Sequence, residues 1–408
     1  MTVLDELIQE LCPDGVKYKA LGEICKLVTG ATPSKTNAAY WENGTIPWMS
    51  SGEVNLKRVA ATEKKITQLG YEKNSTTIVP KHSVVIALAG QGKTRGKAAI
   101  TEIELCTNQS LCSMICNENL DYKFLYYILD GKYEELRAIS NGDGTRGGLS
   151  LKILAPYKIP VPPLPVQREI VHILDNFTEL TAELTAEITA RKQQYAYYRD
   201  KLLTPRTDYR HVKIIDMLKQ PITDGPHTTP ELMEYGIPFL SVEAVFDGKI
   251  HFEKRRGNIT PEFDAECCKK YKPQKHDIFM VKSGSTTGKV GYVDTDERFN
   301  IWSPLAAMRV NSENSSRYLF HLLQSKMVQQ QVVAKASHGS QPNLSMRALE
   351  QFDVVIPPLD IQLRLANVLD NFDAICTDLN IGLPAEIEAR QKQYEYYRDK
   401  LLTFTPAD

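Results

Sequence analysis

The chain has no surplus of either charge, no long apolar run and no cysteine pair at metal-ligating spacing. Lys+Arg 49 against Asp+Glu 50 gives a net charge of −1. This excludes a bulk-basic nucleic-acid coat but leaves a local basic groove open. No stretch nears the roughly 18 uninterrupted apolar residues that a spanning helix needs. The opening MTVLDELIQEL carries acids where a signal peptide would carry lysines, so export is not expected. None of the eight cysteines forms a Cys-x-x-Cys pair, and the eight histidines are scattered, so no metal site is expected. Cys112 and Cys116, flanking Ser-Met-Ile in an apolar run, read as small buried hydrophobes. A reduced, cytoplasmic protein fits this usage. With 42% hydrophobic and 24% charged residues over 408 positions, the chain is globular and long enough for about two to four domains.

Catalytic motifs are also missing. GQGKTRGKA (90–98) places its Gly-Lys one residue too far from Gly90 for a phosphate-binding loop and follows it with Ala. SGSTTGKV (283–290) has only three residues between its glycines and ends in Val. Neither matches the dinucleotide pattern. The Asp/Asn-Pro-Pro-Tyr/Phe tetrapeptide of an aminomethyltransferase is absent, and a nuclease-like Glu63-x-Lys65 has no Pro-Asp nearer than about fifty residues upstream. His227, in DGPHTTP, reads as a turn residue or a DNA contact rather than a general base. No catalytic residue is expected.

What is present is a tandem repeat. VPPLPVQREIVHILDNF (161–177) returns as IPPLDIQLRLANVLDNF (356–372), and EITARKQQYAYYRDKLL (187–203) returns as EIEARQKQYEYYRDKLL (386–402). The second copy carries four extra residues between the two matches. The segments before them correspond more weakly: Ile46-Pro47-Trp48 with Ile237-Pro238-Phe239, and VVIALAGQGKTRGK (84–97) with IFMVKSGSTTGK (278–289). The order is globule, long helix, globule, long helix.

From Gln167 to Leu203 there is no Gly or Pro, and apolar residues recur at Ile170, Leu174, Phe177, Leu184, Ile188, Tyr195, Tyr198 and Leu202. That spacing predicts a long helix, with Pro162, Pro163 and Pro165 setting its start. The second rod, Gln362 to Leu402, contains Gly382 and Pro384 and is expected to kink or break there. Each stripe could be a plain core face; a helix pair is preferred because the rods outrun the globules beside them. The globules alternate short strand-like runs with turns, and helices are expected at about 121–139 and 315–334. The fold class is mixed α/β (α+β). The expected division is an N-terminal helix (1–12), a first domain (13–163), a spacer helix (164–204), a second domain (205–358) and a second spacer helix (359–404).

The Gly-rich loops carry small, polar and basic groups at matching places in both copies. Lys93, Arg95 and Lys97 stand in one, with Gln91 and Thr94; Ser283, Ser285, Thr286, Thr287 and Lys289 stand in the other. Glycines allow close backbone approach, hydroxyls donate to phosphates, and Arg or Lys reach guanine edges. Either loop could also be a solvated hairpin tip. The candidate DNA contacts include Thr32, Ser34, Lys35, Arg146, His227, Thr228, Ser340 and Gln341 as well. Further basic runs, Lys64-Lys65 and Lys254-Arg255-Arg256 among them, read individually as soluble surface.

The opening ALGEI…TG-x-TPS (20–34), the IPW block (46–48), the PPLP-x-Q start (162–167) and the repeated helix ending in YYRDKLL resemble the specificity subunits of type I restriction–modification systems. The resemblance covers essentially the whole chain. TAELTAEI (181–188) resembles the subgroup whose spacer helix carries TAEL repeats, so Thr181, Glu183, Leu184, Thr185, Glu187 and Ile188 would lie on that spacer. The resemblance implies a non-catalytic subunit in which each globule is a target recognition domain for one half of a bipartite site in double-stranded DNA. The helices would pair antiparallel as a pseudo-twofold scaffold and bind two modification subunits. S-adenosylmethionine, ATP and magnesium would belong to the modification and restriction subunits, with no cofactor in this chain and no membrane. The unmatched N-terminal helix and the unequal rods depart from a strict doubled unit. A stand-alone two-headed DNA-binding regulator and a coiled-coil adaptor are the alternatives.

Overall fold

The computed structural model describes residues 2–90, 94–140, 148–337, 341–377 and 383–407. The chain divides into two units. One comprises Met1–Glu183 with Glu388–Asp408, the other Leu184–Ile387. Mixed strand and helix content, as expected, runs through both.

In the first unit, Cys25–Thr29, Leu111–Cys116, Val84–Ala87, Ala98–Thr101 and Arg58–Val59 lie side by side in that order as one sheet. A second sheet runs Lys64–Ile66, Ile46–Met49, Leu105–Thr107, Ile78–Val79. The second unit repeats the plan with fewer strands. Its sheets run Thr223–Asp224, Leu305–Met308, Ile278–Val281, Val290–Tyr292, and Gly257–Ile259, Ile237–Leu240, Asn300–Ile301. Val84–Ala87 and Ile278–Val281 are buried at every position. Central strands covered on both faces read as continuous apolar runs, which is why VVIA and IFMV show no alternation.

The expected helices at 121–139 and 315–334 are each two short helices, Tyr122–Gly131 with Tyr133–Ala138, and Ser316–Leu323 with Lys326–Lys335. Asp121 and Ser315 cap the first of each pair by accepting from backbone N–H groups. Val3–Leu11 forms the expected N-terminal helix, started by a capping box between Thr2 and Asp5. The C-terminal tail returns to this unit: Val16 N–H donates to the Thr405 carbonyl, and Ala407 N–H to that of Val16.

The first long helix is continuous from Leu164 to Leu202, a length of about 58 Å. Its start is buried through Val166, Ile170, Val171 and Leu174 in the first unit's core, and its end through Tyr195 in the second's. From Asp175 to Gln194 no residue is fully buried, so good helix formers such as Ala, Glu, Leu and Lys carry that middle stretch. The second rod is described as two helices, Leu359–Thr377 and Leu383–Leu401. Gly382 lies outside the described residues. Pro384 is the second residue of its helix, where a missing N–H leaves no helical bond unmade. The two rods face each other within each unit: Phe177 stacks on Tyr397 in the first, and Tyr198 on Phe372 in the second. Among the described residues, no helix is long and apolar enough to cross a membrane.

Cys112 is fully buried and Cys116 half-buried, opposite Cys25 in strand register. Burial pushes the Cys112 thiol up to about 12, so it behaves as the small hydrophobe expected.

Candidate nucleic-acid interface

Both Gly-rich loops join two neighbouring antiparallel strands: Val84–Ala87 to Ala98–Thr101, and Ile278–Val281 to Val290–Tyr292. Gly96 (φ +84°), Gly284 (φ +100°) and Gly288 (φ +95°) take the left-handed backbone that these turns need. A second turn meets each loop's neighbourhood. A side chain on Gly30 would sit 1.7 Å from the Thr107 carbonyl oxygen, and one on Gly225 1.8 Å from that of Ile301. The Gly of TG-x-TPS and of DGPH is therefore required by close backbone approach in both copies.

In the first unit, the turn after Gly30 is tied down by two indoles. Trp48 donates to the Ala31 carbonyl at 2.9 Å and Trp41 to that of Ser34 at 3.0 Å. Thr32 donates to Gln109 at 2.5 Å. Ser34 and Lys35 are exposed. Across the sheet end, Lys97 donates to Asn55 at 2.9 Å and Thr94 is half-buried. Arg95, expected to face DNA, is instead buried, with 8% of its surface exposed. Gly96 turns the chain inward behind it, next to Tyr133 and Arg137. Gln91, Lys93 and Arg146 lie outside the described residues.

The second unit gathers its candidates more tightly. Gly284 N–H donates to the Pro342 carbonyl at 2.9 Å, and the Thr287 hydroxyl lies 2.7 Å from the Gly284 carbonyl and 3.2 Å from that of Pro342. Ser283 bridges to Asn343. Exposed Gln341 therefore adjoins the loop that carries exposed Ser285, half-buried Thr286 and exposed Lys289. Ser340 lies outside the described residues. His227 and Thr228 are exposed on the DGPH turn, and the His227 imidazole is 3.5 Å from the Asp224 carboxylate.

Asp224 was not a candidate on sequence, and it organises this end of the unit. Its carboxylate is 1% exposed, pairs with Lys270, and is 3.1 Å from Lys282. A buried carboxylate without cations would be costly. Here it holds two lysines and an imidazole beside the loop. Nearby, the Arg256 guanidinium lies 3.7 Å over the Trp302 ring. The hint in sequence was the Lys269-Lys270 run, which by itself looks like ordinary soluble surface.

Two further positions of the repeat were missed, and in each copy both fasten a long helix to its domain. Gln167 and Gln362, the Gln of each PPL-x-x-Q start, are buried. Gln167 accepts from the Asp121 N–H at 2.8 Å and donates to the carbonyls of Asn119 and Pro162 at 3.0 and 2.7 Å. Gln362 accepts from the Ser315 N–H at 3.0 Å and donates to Asn314 and the Pro357 carbonyl at 3.0 and 2.9 Å. The Asp of each LDNF is the second. Asp175 accepts from the Tyr127 hydroxyl at 2.6 Å and Lys123 at 2.5 Å. Asp370 takes Arg317 and, at 2.6 Å, Nε2 of His321, whose Nδ1 is 2.9 Å from the Tyr195 hydroxyl. Burial holds His321 below its usual value, so the neutral ring donates to Asp370 and accepts from Tyr195. Burial would push the Asp370 carboxyl up, but hydrogen bonds from His321 and Arg317 outweigh it and hold it down. A polar residue repeated inside an apolar stripe of both copies was the available signal.

On the spacer, Thr181, Leu184 and Ile188 are half-buried, while Glu183, Thr185 and Glu187 are exposed. Thr181 donates back to the Phe177 carbonyl, and Glu187 pairs with Arg191 at 3.1 Å one turn on.

The sequence pattern described as "Type I restriction modification DNA specificity domain" matches this chain twice, over residues 13–191 and 212–389. The specificity subunit of the type I restriction enzyme EcoR124I/EcoR124II of Escherichia coli is 28% identical over 418 residues, covering 99% of this chain and 97% of that protein. A putative type I restriction enzyme specificity subunit of Haemophilus influenzae is 32% identical over 307 residues, covering 71% of this chain and 74% of its own length. Among solved structures, one from a study of type I R-M complex assembly and conformational transition aligns with a TM-score of 0.63 at 15% identity, over 96% of this chain and 98% of that one. The S subunit of a type I restriction–modification system from M. genitalium aligns with a TM-score of 0.51 at 15% identity, over 95% and 96%. These two likenesses concern the fold alone.

Proposed function

Since the chain belongs to the type I restriction modification DNA specificity family, we propose that it is the DNA-reading subunit of such an enzyme, each unit taking one half of a bipartite site. It chooses where on DNA the modification and restriction subunits act and performs no chemistry itself. The observation that carries the two-part reading is the repetition of one interface. In both copies a Gly-rich loop and a Gly-anchored turn leave the sheet at the same end. Candidate side chains differ between copies, as two different half-sites require.

Beyond that, the finer reading assigns the contacts, among the described residues, to Thr32, Ser34, Lys35, Thr94, Lys97, His227, Thr228, Ser283, Ser285, Thr286, Thr287, Lys289 and Gln341, within domains spanning 13–163 and 205–358. Two modification subunits bind the helical rods and bring S-adenosylmethionine. Restriction subunits bring ATP and magnesium chemistry, and the assembly works in the cytoplasm. On this reading the chain is of the spacer-repeat subgroup, which the TAELTAEI stretch supports. Support for these assignments comes from the family and the residue types. The test is methylation of plasmid DNA by the chain combined with its modification partner. A single adenine-containing bipartite sequence is expected, with no methylation by either component alone. Methyl transfer by this chain alone would refute the reading.

A further inference from the structure

We propose that the first unit grips the DNA phosphate backbone through a lysine-ringed pocket built on Trp41, separate from its Gly-rich loop. The inference rests on the reading that this unit binds DNA. The cavity measures about 440 Å³ and is lined by Lys35, Trp41, Glu63, Lys64 and Lys65. Three lysines and one glutamate thus border it. Among the described residues, none of the three lysines forms an ion pair. Lys123, Lys213, Lys270 and Lys282, by contrast, all sit against aspartates. Lysines without ion-pair partners bordering one hollow give it a net positive field that attracts a polyanion.

The pocket is preformed. The Trp41 N–H is committed inward to the Ser34 carbonyl, and the ring stands edge-on to buried Trp48 with centroids 5.1 Å apart. Its remaining surface offers only an apolar ring, suited to packing on a sugar or base face. Thr67 ties the two walls together: its N–H donates to the Tyr40 carbonyl and its hydroxyl to that of Ala39. A side chain on Gly44 would lie 2.6 Å from the Lys65 carbonyl oxygen, so that wall is close-packed too.

Lysines on an edge strand can also serve only to block strand pairing, and Lys64–Ile66 is such an edge. That role needs neither Lys35, which arrives from a separate turn, nor a half-buried tryptophan between them. The second unit supplies the contrast. Its Gly257–Ile259 strand pairs with Ile237–Leu240 as Lys64–Ile66 pairs with Ile46–Met49: Asn258 faces Pro238 where Lys65 faces Pro47. Gly257 and Asn258 thus stand where the first unit has two lysines. The adjacent Arg256 is already stacked on Trp302. The Met233 segment also pairs with Asn258 and covers that strand's outer side, so it is Lys35 and Trp41 that speak against mere edge protection.

The test uses the full chain assembled with its modification subunits and a duplex containing the methylated site. Binding constants are measured across a salt series for the parent and for combined Lys35→Ala, Lys64→Ala and Lys65→Ala. Each lost phosphate contact lowers the log–log salt slope by about 0.9. The triple variant is expected to lose roughly 2–3 in slope, to weaken specific and non-specific DNA alike, and to methylate the same sequence. The corresponding triple Lys→Arg variant should restore the slope. An unchanged slope with methylation intact would overturn the pocket and leave the DNA-reading assignment standing. A changed methylated sequence would make the lysines base readers and overturn the backbone role. Failure of the parent complex to bind any DNA sequence specifically would overturn the DNA-reading assignment itself.

Discussion

Gln167→Glu changes one buried atom group and should loosen the first unit in a pH-dependent way. The amide oxygen of Gln167 accepts one backbone N–H, and its NH2 group donates to the Asn119 and Pro162 carbonyls. Glutamate keeps the acceptor but sets a second oxygen 3.0 and 2.7 Å from two carbonyl oxygens. Two buried acceptors lose their donor, at roughly 1–3 kcal/mol each. Burial penalises an ionised carboxylate there, so its proton is retained and its folded pKa rises above the usual value of about 4.3. The protonated form restores one of the two bonds. The variant's deficit is therefore smallest below the unfolded pKa and grows as pH rises through the folded one. At pH 8 a loss of about 3–5 kcal/mol is expected, from two orphaned carbonyls and a buried charge. That is a large share of a unit's typical stability of about 5–15 kcal/mol. Urea unfolding should be followed by tryptophan emission, since buried Trp48 reports the first unit. Trp302→Phe removes the second unit's tryptophan. Parent-like midpoints at both pH 5.5 and pH 8 would show that Gln167 does not clamp the helix.

Other expectations follow from the same geometry. Acidification through about pH 6.5 should weaken the second unit, because His321 is held neutral by burial and the unfolded chain binds the proton more readily. His321→Tyr, the residue type at Tyr127 in the first unit, should remove that acid sensitivity in circular-dichroism melts; an unaltered pH profile would refute the assignment. Lys289→Ala should lower the salt slope of DNA binding by about one, whereas buried Arg95→Ala should lower the first unit's melting temperature and leave the slope alone. A slope loss at Arg95 would put its guanidinium on DNA after all. Inserting Thr-Ala-Glu-Leu after Leu184 adds about 6 Å and a net rotation of roughly 40°, close to the 34–36° turn of one base pair. It should lengthen the unspecific spacer by one base pair with both half-sites kept, as read by methylome sequencing; an unchanged spacer with full activity would show that this helix is not the ruler.

Much of this arrangement was legible in the sequence, for identifiable reasons. YYRDKLL and LDNF recur because two copies of one helix meet similar neighbours, so the repeat, the long helix and the paired globules could be read directly. Gly30 and Gly225 could be placed on turns, although their closeness to Thr107 and Ile301 depends on strands far along the chain. Burial of individual polar groups was not legible. Arg95 belongs to a run of alternating lysine and arginine that looks solvated, yet it is buried next to Gly96, which packs against the Tyr133–Ala138 helix. Asp224 looked like an ordinary turn residue until Lys270 and Lys282 converged on it from two other elements. Gln167 and Gln362 show no role in sequence, since all their partners but the Asn314 side chain are backbone groups that sequence does not display. Local periodicity reports which face is apolar; it does not report which polar group a distant segment will enclose.

The central claim is that the two units read independent halves of one site. Its most direct measurement is a methylation map of DNA from cells carrying the modification partner and a chimaera in which residues 13–163 come from another member of the family. The account predicts that one half of the methylated sequence changes while the other half and the spacer length stay as in the parent. A map in which both halves change, or in which neither does, would contradict it.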